Sequence, residues 1–530
     1  MSDRGSRGRQ ARIAVIGGDG IGPEVTAVAA DVLAAAAHRH GLDLTLDRWD
    51  LSADRYLRDG VAITDAERDR LVRDYDAALL GALGDPRVPD HAHIRDILLG
   101  LRFHADLYVN FRPCKLLIPA LSPLRDPDPT TDIVFFRENT EGLYTGLGGR
   151  FKAGTTEEVA VQESLNTYRG VERIVRGSRG RQARIAVIGG DGIGPEVTAV
   201  AADVLAAAAH RHGLDLTLDR WDLSADRYLR DGVAITDAER DRLVRDYDAA
   251  LLGALGDPRV PDHAHIRDIL LGLRFHADLY VNFRPCKLLI PALSPLRDPD
   301  PTTDIVFFRE NTEGLYTGLG GRFKAGTTEE VAVQESLNTY RGVERIVRAA
   351  FEHAAATGRG RVTLVDKANA LVHEGALWRR VFAEVGAAFP DIAQDAMYVD
   401  AMAMDLVRRP QRYEVVVTSN LFGDILSDLG AQVTGGLGLA PSGNINPGVW
   451  ALFEPVHGSA PDIAGQGIAN PLAAVGCVAL TLGYLEMDAA AADVEECIVA
   501  SIRERVSTPD LGGSATTREV GEWMTARLRD

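Results

Sequence analysis

The sequence contains little that would make a cross-linked or metal-clipped scaffold. It has four cysteines in 530 residues, Cys114, Cys286, Cys477 and Cys497, and no two of them stand in a Cys-x-x-Cys spacing. That excludes a disulfide framework and a zinc cluster and predicts a reduced, cytoplasmic chain. No uninterrupted apolar run reaches the roughly 20 residues needed to cross a bilayer. The opening MSDRGSRGRQ has no apolar stretch of the secretory kind. Basic charge is also scarce: 58 Lys+Arg stand against 76 Asp+Glu, a net charge of −18. Binding nucleic acid through overall charge requires the opposite balance. Membrane and nucleic acid are thus excluded as partners, and a small-molecule substrate is expected. What remains is an ordinary globular composition, 46% hydrophobic and 25% charged.

The organisation of the chain is unusual. Residues 5–176 recur without one substitution as 177–348, 172 residues per copy. Solenoid repeats are far shorter, roughly 20–50 residues, and drift apart. Perfect identity leaves two origins, a recent tandem duplication or an error in the gene sequence. A unique tail follows, residues 349–530. One copy plus the tail makes 354 residues, a natural size for one two-domain enzyme. The chain therefore reads as a complete unit, 177–530, preceded by an incomplete duplicate of its first half, 5–176.

Within the complete unit, RIAVI at 184–188 reads as a buried strand. Glycines turn the chain, Pro195 suits a first helical turn, and an Ala-rich helix follows. DLTLDRWDL is strand-like. AITDAERDRLVRDYDAALLGAL reads as a helix with Thr236 or Asp237 at its N-cap, then a buried strand. DIVFFRENTEGLY is a strand entering a polar turn, and TTREVGEWMTARLR is a closing amphipathic helix. Strands alternating with helices predict an α/β class with a largely parallel sheet. The loop GGDGIGPE invites a dinucleotide fingerprint, but Pro195 occupies the third glycine position. A tight strand-to-helix turn is the plainer reading.

The chemistry-bearing residues lie further on. Arg274 and Arg284 are ten apart, and Arg309 ends the apolar strand IVFF. A buried arginine needs an anion, and its fork suits carboxylates. Three converging arginines would suit a di- or tricarboxylate; separate structural ion pairs are the alternative. Asp424 and Asp428 share one face of an apolar helix, although like charges at that spacing repel. Oxygen ligands of this kind suit Mg²⁺ or Mn²⁺, with Asp400 as a third; a solvated face is the alternative. Lys367 ends an apolar strand, where desolvation would favour a base. Tyr316 follows Arg309 closely and could donate a proton. PVHGSAPDIAGQGIANP is a small-residue loop suited to close approach by a ligand, with Asp462 able to accept from ribose hydroxyls. A plain surface loop is the alternative.

Six ordered segments, GDGIGPEV, LLGLRFHADLYVNFRPCKL, RENTEGLY, VDKANAL, NLFGDILSDLGA and EPVHGSAPDIAGQGIANP, resemble the β-decarboxylating dehydrogenases. That family holds the isopropylmalate, isocitrate, homoisocitrate and tartrate dehydrogenases. The resemblance spans essentially the whole complete unit. It implies a two-domain α/β fold distinct from the Rossmann fold, with 177–279 plus 435–530 as the large domain. Residues 280–434 would form the small domain of a homodimer with shared active sites. Arg274, Arg284 and Arg309 would grip the malate carboxylates. Asp400, Asp424 and Asp428 would hold Mg²⁺ or Mn²⁺, with Lys367 and Asp400 contributed across the dimer. Lys367 would take the hydroxyl proton and Tyr316 would protonate the enol. His457, Gly458, Ser459, Ala460, Asp462 and Asn470 would line an NAD site. Leu270 and Leu271 match the leucines that the isopropylmalate branch sets against its isopropyl group. The implied reaction is NAD-dependent conversion of 3-isopropylmalate to 2-oxo-4-methylpentanoate in leucine biosynthesis. RENTEG and Ala370 keep tartrate, homoisocitrate, isocitrate or a bulkier 3-substituted malate as alternatives. An inactive scaffold spoiled by the duplication is the rival from another class.

The first copy repeats the site residues as Arg102, Arg112, Arg137 and Tyr144 but has no second Lys367, aspartate set or HGSAPDIAG loop. It is expected to form no independent active site. Its apolar faces and strand edges are expected to stay open, and it would compete with the second copy for the single tail.

Overall fold

A computed structural model describes residues 10–88, 92–105, 107, 109–138, 149–151, 159–162 and 182–529. The chain divides into two compact units. One gathers the described residues of Met1–Leu117, Pro129–Gly146 and Asn369–Val372. The other gathers those of Ile118–Asp128, Leu147–Ala368 and His373–Asp530. The division therefore falls within the first copy and not at its end.

The second unit is built on a ten-stranded sheet. At one end lie Asp215–Trp221, Gln182–Ile188, Ala249–Leu252 and Trp450–Pro455, all parallel. At the other lie Asp304–Glu310, Val415–Thr418, Arg361–Asp366 and Ala393–Tyr398, again parallel. Between these blocks, Val281–Lys287 and Pro441–Asn446 run antiparallel to their neighbours and to each other. The sheet is thus mixed where a largely parallel one was expected. A connection that returns the chain beside its own strand, as Pro441–Asn446 to Trp450–Pro455 does, needs only a short turn. Buried asparagines mark the antiparallel centre: Asn444 Oδ1 accepts from Asn282 Nδ2 at 3.1 Å and from Asn311 Nδ2 at 2.9 Å.

The helices form where caps and apolar stripes direct. Gly194–His212 starts with Pro195 in its first turn and ends at Gly213 in the left-handed region. Asp237–Asp246 is capped by Thr236, with Glu239 closing a reciprocal capping box. In the tail, Leu472–Tyr484 is buried almost all round, and Thr517–Arg529 forms the last helix. Val197, Val200, Val204 and Leu205 of the first of these helices pack with Val475, Val478, Val520 and Met524 in one core. Val306, Val347, Leu364 and Trp378 belong to a separate core around the other parallel block. Cys286, Cys477 and Cys497 are buried free thiols. Among the described residues no helix is long and apolar enough to cross a membrane.

The first copy builds the corresponding small sheet from Asp43–Trp49, Gln10–Ile16 and Ala77–Leu80. It ends there. In the second copy the corresponding edge strand, Ala249–Leu252, pairs in parallel with Trp450–Pro455 of the tail. Among the described residues the first copy thus shows the open strand edge expected of it.

Candidate active site

Arg284 and Arg309 sit on neighbouring strands of the antiparallel centre, and the helix Asn420–Thr434 lies against both. Arg309 is only 1% exposed. Its Nε and Nη2 donate to Asn420 Oδ1 at 3.0 and 2.6 Å, and its Nη1 to Asp424. Arg284 donates to Ser427 Oγ at 2.8 Å and to Asp428 at 3.0 Å, and lies 3.2 Å from Asp424. The helix spacing that placed Asp424 and Asp428 on one face thus turns them toward the arginines. The Tyr316 hydroxyl, on the short turn Leu315–Thr317, donates to Asp424 Oδ2 at 2.8 Å. The Arg309 guanidinium lies 5.1 Å from the centre of the Tyr316 ring.

Arg274 is buried on Gly272–His276 and donates to Glu454 Oε1 at 3.0 Å. Its Nε has no partner among the described residues. Arg274 still acts by charge on Arg309, Tyr316 and Asp424, so all three arginines share one field. Burial, reinforced by Arg284 and Arg274, pushes the Arg309 pKa down, while Asp424 opposes the shift. Burial raises the Asp424 pKa, but Arg309 and Arg284 outweigh it and hold the carboxylate below its ordinary range. For Asp428, burial wins over Arg284 and the pKa rises. Burial and then Asp424 push the Tyr316 phenol up, so it keeps its proton at neutral pH.

Lys367 and Asp400 pair with each other and not with the arginines. Lys367 Nζ donates to Asp400 Oδ1 at 2.6 Å, beside the Tyr398 ring. Asp400 opens the helix Val399–Arg408. Among the described residues no three acidic, His or Cys side chains form a cluster able to hold a metal. One chain thus presents two aspartates with the arginines and the third with the lysine.

Before Arg274 the chain makes a π-helical turn, Arg267–Leu271. Ile269 points into the core, and Leu270 and Leu271 are half-buried. On the tail loop, Ser459 is buried and its carbonyl accepts from Ile193 N at 2.8 Å. A side chain at Gly192, whose φ is +57°, would strike that same carbonyl, so the glycine turn is the seat of the loop. Ala460 is held at φ +38°. Gly458 has open space beside it and Asp462 is exposed. The buried His457 Nε2 has no partner among the described residues. Asn470 is engaged already, donating to Asp510 at 2.8 Å and accepting from Leu472 N.

The profile of the family described as isocitrate/isopropylmalate dehydrogenase matches residues 12–180 and again 184–524. The chain belongs to that dehydrogenase family. Its profile meets both copies, the first over its own length only and the second continuously into the tail. The 3-isopropylmalate dehydrogenase of Thermobifida fusca is 47% identical over 353 residues, which is 66% of this chain and 99% of the relative. That of Corynebacterium jeikeium is 50% identical over 349 residues, 65% of this chain and 100% of the relative. Among solved structures, an isocitrate dehydrogenase from Methylococcus capsulatus superposes with a TM-score of 0.59 at 36% identity. It covers 66% of this chain and 100% of its own. These relatives are the length of one copy plus the tail.

Several contacts had no signal in the sequence. Asn420 as the acceptor for Arg309, Glu454 for Arg274, and the Asn282–Asn444 pair all join residues more than one hundred apart. In the first copy, Arg112 lies on an exposed strand bonded to Asn110 at 2.9 Å. Tyr144 and the side chain of Arg137 lie outside the described residues.

Proposed function

We propose that the complete unit catalyses the NAD-dependent oxidative decarboxylation of a 3-substituted malate, with 3-isopropylmalate as substrate and 2-oxo-4-methylpentanoate as product. The observation that carries this reading is the convergence of Arg284, Arg309, Tyr316, Asp424 and Asp428 under the added charge of Arg274. The arginines supply forks for two carboxylates. The aspartates offer oxygen-only donors, which fit Mg²⁺ or Mn²⁺. A dianionic substrate and a divalent cation inserted together would separate the present Arg–Asp pairs while keeping the charge balanced. The cation supplies Lewis-acid stabilisation of the oxygen on which charge develops. The orphaned His457 Nε2 and the open Gly458 fit a polar cofactor, and exposed Asp462 is free to accept from a ribose.

In this reading the arginines hold the malate, and Leu270 and Leu271 cover the isopropyl group, a burial of about 2 kcal/mol. Tyr316, protonated and hydrogen-bonded, delivers its proton to the carbon that loses CO₂. Lys367 removes the hydroxyl proton. Its bond to Asp400, apart from the arginine cluster, supports delivery of both residues from a second chain. Met404 and Ile425, exposed on the two helices that carry Asp400 and Asp424, support an apolar dimer face beside the site. A cytoplasmic homodimer acting in leucine biosynthesis follows from this assignment.

The test is NADH formation, followed by absorbance, with Mg²⁺ or Mn²⁺ and each of 3-isopropylmalate, isocitrate, homoisocitrate and tartrate. Preference for 3-isopropylmalate, lost on adding a chelator and regained with the cation, is the expected result. Preference for another acid would overturn the substrate assignment. Silence on all four would leave the spoiled scaffold as the better reading.

A further inference from the structure

The loop that seats Ser459 contains a buried carboxylate that none of the steps above uses. Asp191 Oδ1 accepts from Ala225 N at 2.6 Å. Its Oδ2 accepts from Gly256 N at 2.8 Å and meets His265 Nε2 at 2.9 Å. The Asp191 side chain is 4% exposed and that of His265 is fully buried. His265 Nδ1 has no partner among the described residues, so Nε2 carries the hydrogen that Asp191 accepts. One carboxylate thereby joins the glycine turn to three separate segments.

Two of the connected parts are functional. On one side, Ile193 N and the bare Gly192 hold the Ser459 carbonyl of the cofactor loop. A side chain at Gly256 would run into Ser459 Oγ and approach Ile266, so these segments also meet directly. On the other side, His265 lies on Ala264–Ile266, which leads straight into the π-helical turn carrying Leu270 and Leu271 and then into the helix of Arg274. The chain enters this segment through Asp262 and His263 at φ +51° and +50°, the left-handed region that strains non-glycine residues. A strained entry stays put only when the segment after it is anchored, and His265 is the first side chain beyond it tied by a buried hydrogen bond.

We infer that His265 is a positioning residue that fixes the substrate-side turn (Leu270, Leu271, Arg274) to the cofactor loop through Asp191. Loss of its bond to Asp191 weakens the binding of both NAD⁺ and malate. The inference rests on the function proposed above. It departs from the six shared motifs, because His265 lies outside all of them. The first copy supplies a control. Asp19 there makes the same three contacts, to Ala53 N at 2.6 Å, Gly84 N at 2.8 Å and His93 Nε2 at 2.9 Å, with no cofactor loop of its own to hold.

The test uses the full chain with His265→Phe, His265→Gln and His93→Phe, read by steady-state kinetics on 3-isopropylmalate and by calorimetric titration with NAD⁺. His265→Phe is expected to raise the malate KM and the NAD⁺ Kd by about tenfold each while kcat moves far less. His265→Gln, which keeps an N–H in reach of Asp191, is expected to restore both, and His93→Phe to change neither. A fall in Tm with KM and Kd unchanged would overturn the inference, as would a Gln variant no better than Phe. If the wild type binds NAD⁺ but oxidises no malate, the proposed function fails, and His265 stands or falls on the NAD⁺ titration alone. A wild type that binds no NAD⁺ would overturn both.

Discussion

The two copies are one sequence in two settings, and their helices show what a setting does. Val28 on Gly22–Arg39 is 64% exposed, while the identical Val200 on Gly194–His212 is 7% exposed. Phe135 is 56% exposed, and its counterpart Phe307 is fully buried. Local structure nevertheless survives the exposure. Thr64 and Glu67 form the same capping box as Thr236 and Glu239, and Ser52 caps its helix as Ser224 does. Caps and turns need only nearby chain, and the Asp19–His93 bond, although it spans 74 residues, needs only residues of the first copy. Burial of the valine face needs Val475, Val478, Val520 and Met524, which the tail supplies once.

That contrast can be broken by paired substitutions. Val204 is fully buried and its counterpart Val32 is 64% exposed. Val204→Asp is expected to cost about 3–5 kcal/mol, because it buries an unpaired charge. Val32→Asp should stay within about 0.5 kcal/mol. Chemical denaturation of the two variants checks this, and equal losses would mean that the first copy is also covered. Arg284→Ala should lower kcat/KM about a hundredfold or more by removing a carboxylate fork and releasing Asp428. Arg112→Ala, at the matching exposed position, should leave kcat/KM unchanged in the same assay.

A subtler contrast lies in RENTEG. Burial, and then the charge of Glu310, push the Glu313 carboxyl up to about 7, although Thr339 donates to it through N and Oγ1. The folded chain therefore keeps a proton that the unfolded chain releases near 4.5. Stability from this group is fully present below the unfolded value and is lost as pH rises through about 7. Glu313→Gln should remove that loss, so its stability relative to wild type should rise by on the order of 2 kcal/mol between pH 5 and 8. Thermal melts across that range read the slope. The helix Tyr340–Thr357, whose N-terminus meets Glu313, draws its second half from the tail. Glu141, the matching residue of the first copy, lacks that continuation and lies outside the described residues. The smallest effect is expected from removing residues 5–176 altogether: NADH formation per remaining chain should persist, and its loss would assign the first copy a role in catalysis.

Much of the site was legible in the chain. The i, i+4 spacing of Asp424 and Asp428 put both on one face, and that face meets Arg284 and Arg309. The apolar strand ending in Arg309 announced a buried guanidinium in need of anions, and Asp424 is bonded to it. Periodicity could not reveal the antiparallel centre of the sheet, because strands buried on both faces read alike in either direction. Nor could it reveal the π-helical turn, which takes one extra residue into a helical pattern that otherwise looks regular.

By itself the sequence of one copy determined the strands, the capped helices, the glycine turn and the Asp–His bond, since these form in both copies from residues within that copy. Only the tertiary structure decided which copy acquires a closed sheet and a dry helix face. Those require strands and helices more than two hundred residues downstream, and one tail can complete only one sheet. It also separated Lys367 and Asp400 from the arginine cluster, because helix and strand packing, not spacing along the chain, sets where a side chain can reach.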